Sequence, residues 1–214
     1  MSVVEGEETW DYDYVASPDK RKKGAKRSTT EGPTQKEIKD RAGYQEIDYD
    51  SGLQSMDQLF DTRFSLRLNI RQTRVRGHID AIKEGEGRSS HVSISSLAGN
   101  ESGDQAGHLI GDRFHGIGQR KNLVPMRTNV NLSKFPSEFE NPVAKWIKGQ
   151  KEKGKAWLVY ATIGVIYNDN FKNYRRLRPT QFSAWAKGIT GTKDAVGRIK
   201  IQEETISRKT FSNS

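Results

Sequence analysis

The stretch whose reading decides the fold is Asp104–Glu140, DQAGHLIGDRFHGIGQRKNLVPMRTNVNLSKFPSEFE. Gly107 precedes His108, which lets the backbone pass close to another group and leaves one imidazole face open. DQAGHLIG reads as a short strand with His108 at its middle. GDRFHGIGQRK is Gly-rich and carries Arg113, Arg120 and Lys121, so it reads as a flexible loop. NLVPM, from Asn122, reads as a second short strand, and Asn131 then falls at the start of a helical segment. Asn122 and Asn131 stand nine positions apart.

These residue types suit one kind of chemistry. A neutral imidazole near pH 7 can take a proton from water. Guanidinium groups match phosphate oxygens and offset charge on a pentavalent phosphorus. An amide oxygen on Asn131 can bind a hard cation. Magnesium prefers oxygen ligands and keeps much of its water shell, so one amide and several waters can hold it beside a phosphate. The cation would polarise the phosphate and stabilise the leaving oxygen.

The flanks read as β-rich. FDTRFSLRLNI places Phe64, Leu66, Leu68 and Ile70 on one face, with Ser65, Arg67 and Asn69 on the other, the period of a strand. VRGHIDAI is its expected antiparallel partner, KEGEGRSS a loop, and HVSISSL a third, shorter strand. After the central stretch, Asn141-Pro142 is an expected N-cap and first helical position. Val143, Trp146 and Ile147 follow at helical spacing, which predicts a helix from Pro142 to about Gly149. AWLVYATIGVIY contains the longest apolar run and is an expected central strand. NDNFKNY turns the chain, RRLRPTQFSAW returns as a strand, AVGRIKIQ adds an edge strand, and SRKTFSNS should fray. His78 and His91 fall on expected strands and read as structural.

The N-terminal region differs in kind. Glu5, Glu7, Glu8, Asp11, Asp13 and Asp19 precede the basic run KRKKGAKR from Lys20 to Arg27. Opposite charge blocks with little aliphatic content do not bury enough surface to order a chain. Residues 1–55 are therefore expected to be a disordered charged segment, a loading or targeting signal, with an ordered domain over 56–214. The whole chain has 214 residues, 33% hydrophobic, and a net charge of +9, which favours a polyanionic partner. It has no cysteine, which excludes disulfides, thiolate metal sites and cysteine nucleophiles. No run approaches the ~18 apolar residues of a membrane span, so no membrane partner is expected. MSVVEGEETWDYDY is acidic where a secretory signal is basic and then apolar.

Taken together, Gly107-His108, Asn122-Leu123-Val124-Pro125 and Asn131 resemble the DNA/RNA non-specific endonuclease family, whose site is a ββα-metal (His-Me) finger. The family carries an Asp-Arg-Gly-His-like motif, then Asn-x-x-Pro, a metal-binding Asn nine residues after the first Asn, and a Glu about eight residues further on. The resemblance covers roughly residues 60–190, and AGHLIGDRF…NLVPM…N is similar to the toxin branch of the family. It implies an α+β fold, a twisted antiparallel sheet with the ββα-metal finger packed against it. His108 would be the general base, Asn131 the direct magnesium ligand (manganese being the alternative metal), and Asn122 would orient the histidine or the loop. The acidic position that orients water would be Glu138 or Glu140, with Glu140 favoured, because the eight-residue offset falls on Phe139. Gln105-Ala106 replaces the Asp-Arg of the motif, so Arg113 or Arg120, with Lys121, would contact phosphate.

The implied activity is hydrolysis of phosphodiester bonds in DNA, with RNA as a second substrate, by a secreted or injected bacterial toxin effector. Such an effector is made in the cytoplasm and would have a cognate immunity protein and a secretion or contractile-injection apparatus as partners. Two rival readings are a nucleic-acid-binding module that has lost catalysis and a particle-associated adaptor protein.

Overall fold

The computed structural model describes residues 32–53, 70–83, 90–97, 99–167 and 178–214. Two helices and seven strands are present among them: α1 (Gln35–Ala42), β1 (Asp48–Leu53), β2 (Ile70–Ile79), β3 (Asp104–His108), β4 (Leu123–Arg127), α2 (Asn141–Glu152), β5 (Leu158–Ile166), β6 (Gln181–Lys193) and β7 (Ile199–Ser212). Five strands form one sheet in the order β1-β2-β5-β6-β7, and β3 and β4 form a separate hairpin. Every pairing is antiparallel. This is the α+β, antiparallel architecture expected.

Side-chain alternation divides the sheet into two faces. On β5, Val159, Ala161, Ile163 and Val165 face one side, where they join Phe182, Ala184 and Ala186 of β6 in the main core. The β3–β4 hairpin and the helical stretch after it cover that side, contributing Val124, Met126, Phe135, Phe139, Val143 and Ile147. Helix α2 comes close to the sheet because β6 offers a glycine there. A Cβ on Gly188 would lie 2.3 Å from the Trp146 ring.

The opposite face carries a smaller core of Ile38, Leu158 and Ile189. Helix α1 covers it, and its start has a full capping box: Glu37 N–H donates to Thr34 Oγ1, and Thr34 N–H donates to Glu37 Oε2. Hydrogen bonds from Thr34 and the Lys193 ammonium hold the Glu37 carboxyl down at about 2. Part of the segment expected to be disordered, residues 32–53, therefore carries α1 and β1. Residues 32–53 are ordered because Ile38 finds an apolar seat on the sheet and β1 pairs with β2. Residues 1–31 lie outside the described residues.

Other differences follow from local side-chain bonds and from contacts distant in sequence. The strand expected at 60–70 lies outside the described residues except Ile70, and so does the turn expected at 168–174. The β2 strand pairs with β1 and β5. HVSISSL is no strand: Ile94–Ser96 is a 3-10 turn, closed by Leu97 N–H donating to Ile94 O at 3.0 Å. Its alternating serines bond locally, with Ser96 Oγ donating to Ser93 O at 2.7 Å, and such bonds compete with a sheet ladder. The C-terminus does not fray. β7 runs to Ser212, and Asn213 is fully buried, accepting from Arg127 N–H and donating to Pro125 O and Pro179 O.

Candidate active site

The site is built on β3, the loop after it, β4 and the helical stretch 128–152. Within the hairpin, Gly107 stands opposite Val124 and His108 opposite Leu123. His108 thus ends β3 and does not sit at the middle of a strand. Gly107 is required by packing, since a Cβ there would lie 2.7 Å from the Met126 side chain.

Asn122 is completely buried and holds the loop that follows His108. Its Oδ1 accepts from Ile110 N–H, while Nδ2 donates to Ile110 O and Ile117 O, all at 2.9 Å. Its backbone carbonyl accepts from Leu109 N–H at 2.9 Å. With both amide ends used and no exposed surface, Asn122 fixes the loop in place. Gly116 permits the loop's tight return, because a Cβ there would come within 1.7 Å of Ile110 O.

The helical stretch departs from a regular α-helix, and this sets the faces on which Asn131, Glu138 and Glu140 lie. Val130–Lys134 and Pro136–Glu140 are π turns, closed by Phe135 N–H to Val130 O and Asn141 N–H to Pro136 O. Backbone angles stay helical through Asn129, Phe135, Glu140 and Asn141. Asn141 is therefore no N-cap, since the helix enters from the π turns. In an α-helix, nine residues make about two and a half turns and end on the opposite face. Bonds from i to i+5 widen each turn, so nine residues make about two turns and return to the same face. The wide turns also accommodate Pro136, which lacks an N–H to donate.

Contacts agree with that geometry. Asn131 Nδ2 donates to Gln105 Oε1 of β3 at 2.8 Å. Glu140 lies on the loop after β3, where a Cβ on Gly111 would come within 2.1 Å of its Oε1. Asn131 and Glu140 therefore both face the hairpin side, and His108 lies in the chain between their two contact points. Glu138 faces the other way: its carboxylate is 3.7 Å from Lys209 Nζ on β7, and its carbonyl accepts from Ser207 Oγ.

The cationic candidates are spread along the loop. Arg113 donates to Asn141 Oδ1 at 2.7 Å, beside Glu140. Arg120 and Lys121 are exposed on a 3-10 turn just before β4, with Lys121 Nζ 5.1 Å from the Tyr49 ring centre. His78 is structural, as expected. Burial lowers its imidazole below the ordinary range, and Gln45 N–H donates to its Nδ1.

Two residues near the site carried no signal in the sequence. Asp104 is a buried anchor whose carboxylate takes Arg178 Nε at 2.6 Å and Nη2 at 2.8 Å. Burial pushes its carboxyl up, yet the Arg178 hydrogen bonds outweigh this and hold it below the usual range. His91 is not on a strand, and its ring meets that of His108 edge to face, with centres 5.9 Å apart. Neither contact has a local sequence signature.

The chain belongs to the DNA/RNA non-specific endonuclease family, whose sequence model matches residues 61–188. This identifies it as an endonuclease with nucleic acid as its substrate class. A solved structure described as an extracellular nuclease is similar, at 17% identity over 78% of this chain and 85% of its own, with a TM-score of 0.37. Among curated proteins, no sequence matches the chain. Among the described residues, no helix is long and apolar enough to cross a membrane.

The family is metal-dependent, and the donors present fit a hard cation. The Asn131 amide oxygen and the Glu140 carboxylate are oxygen donors of the kind magnesium and manganese take. Among the described residues, no three His, Cys, Asp or Glu side chains gather as a cage.

Proposed function

We propose that the chain is a magnesium-dependent endonuclease that hydrolyses phosphodiester bonds in DNA, and in RNA as a second substrate, with little sequence preference. The observation that carries this reading is the pair of contacts Asn131–Gln105 and Glu140–Gly111, which bring the amide to β3 and the carboxylate to the loop after it, on either side of His108 in the chain. His108 takes the proton from water as it attacks phosphorus in line. Asn131 would hold the cation through its amide oxygen, with manganese as a substitute, and Glu140 would orient water by accepting its hydrogen bonds. A bound cation supplies stabilisation of charge on phosphate and on the leaving 3′ oxygen. Asn122 keeps the loop in shape, and Arg113, Arg120 and Lys121 contact phosphate. Contacts of this kind read no sequence, so binding should weaken steeply with salt.

The likeness of AGHLIGDRF, NLVPM and the Asn131 spacing to the toxin branch supports a role as a secreted or injected effector. An immunity protein and a delivery apparatus would be its partners. Supercoiled plasmid incubated with wild type and magnesium should be nicked, and chelation should stop it. No metal-dependent nicking at any concentration would end the enzyme reading. The effector role is tested separately: wild-type expression in a bacterial cytoplasm should arrest growth, and His108→Ala should not. Equal growth of both would remove it.

A further inference from the structure

His91 is held beside His108 by a backbone contact that only glycine allows. Val92 N–H donates to Gly118 O at 3.0 Å. A Cβ on Gly118 would lie 2.3 Å from Ser90 O and 2.9 Å from His91 Cα. The two imidazole rings therefore meet at 66°, with centres 5.9 Å apart. His91 also borders an open cleft of about 530 Å³, together with Lys83, Ser90, His115, Gly116 and Gln119. One side chain thus touches both the proposed general base and a cavity. That volume falls in the roughly 300–1,000 Å³ range of small-ligand sites.

The cleft lining mixes apolar surface from Val92 and Ile117 with polar side chains that can bond the oxygens of an anion. Lys83 Nζ pairs with Asp112 Oδ1 at 2.7 Å, which leaves the imidazoles of His91 and His115, the Gln119 amide and the Ser90 hydroxyl as its other polar side chains. His115 is set by the loop, with φ 60° at the end of the Asp112–Phe114 3-10 turn. Imidazole, amide and hydroxyl groups commonly bond phosphate and sugar oxygens. Several walls are pinned by backbone bonds, so binding would order little of the chain.

We infer that this cleft is a nucleotide subsite. It would take the phosphate and sugar of a nucleotide next to the bond being cut, with His91 linking that subsite to His108. The inference rests on the endonuclease assignment and adds a binding site to it.

The test uses full-length His108→Ala protein, so that a labelled DNA duplex and thymidine 5′-monophosphate bind without turnover. His91→Ala and His115→Asn are then added singly. Asparagine tolerates the left-handed backbone at position 115. Each should weaken duplex binding about tenfold, the loss of one hydrogen bond to a charged group. Thymidine monophosphate should shift the ring proton resonances of both histidines. Gln119→Glu, an exposed change that puts a carboxylate in the cleft, should weaken binding similarly with an unchanged melting temperature. If all three variants bind within about twofold of the parent while wild type cleaves plasmid, the subsite is wrong and the endonuclease reading stands. If wild type neither cleaves nor binds nucleic acid, both are wrong.

Discussion

Glu140 rests directly on Gly111, so closely that a Cβ on the glycine would lie 2.1 Å from the carboxylate oxygen. This contact joins the second π turn to the loop that follows His108. It makes Gly111→Ala a probe of carboxylate placement that leaves the carboxylate itself intact. The methyl group must displace Glu140, and activity should fall about 10–100-fold, the usual cost of losing a supporting contact at a metal site. Steady-state plasmid nicking checks this; wild-type rates would mean that Glu140 has no role in its observed position.

The two acidic candidates should separate cleanly. Glu140→Gln should lower the nicking rate by about 10–100-fold. Glu138→Gln removes only an exposed pair with Lys209, so stability should change by less than about 1 kcal/mol and the rate should stay near wild type. The reverse order of effects would move the acidic role to Glu138.

Asn122→Ala should couple stability to activity. It leaves the Ile110 N–H and the Ile110 and Ile117 carbonyls without their partner in a buried loop. The expected loss is roughly 2–4 kcal/mol. Urea unfolding gives the stability, and nicking at low temperature, where the variant stays folded, gives the activity. Wild-type stability would show that the loop does not depend on this amide.

Asp104 and Arg178 should govern acid stability on the hairpin side. Because the folded carboxyl titrates below its ordinary value of 3.8, the pair stabilises fully above that value. The contribution is lost as pH falls through the lower folded value. Asp104→Asn should cost about 3 kcal/mol at neutral pH and flatten the acid limb of the stability profile. Urea midpoints between neutral and strongly acidic pH measure both effects, and an unchanged acid limb would contradict the assignment.

Much of this architecture was legible wherever the signal is local. The apolar run of β5, the helical spacing of Val143, Trp146 and Ile147, and the chain order of β3, β4 and helix depend on neighbours in sequence. What was missed depends on side-chain bonds and distant contacts that the residue pattern does not show. Alternating serines at 93–96 mimic a strand but bond to one another. Asn213 ends no fraying tail because Arg127, Pro125 and Pro179 hold it. Helix α1 is short and polar, and it forms where Ile38 meets the sheet. The acidic position stayed open between Glu138 and Glu140 because the eight-residue offset falls on Phe139; the π turns at Val130 and Pro136, which set the faces of that stretch, have no local signature. His91 gives no hint of its position, since Gly118 sets it from 27 residues away.

The central claim is that His108 is the general base of a metal-dependent endonuclease. The most direct measurement compares nicking of supercoiled plasmid by wild type and His108→Ala, each with magnesium and with a chelator. Wild type with magnesium should nick, the chelator should abolish this, and His108→Ala should be slower by about 10²–10⁴-fold. Full activity in His108→Ala, or nicking by wild type that persists without metal, would contradict it.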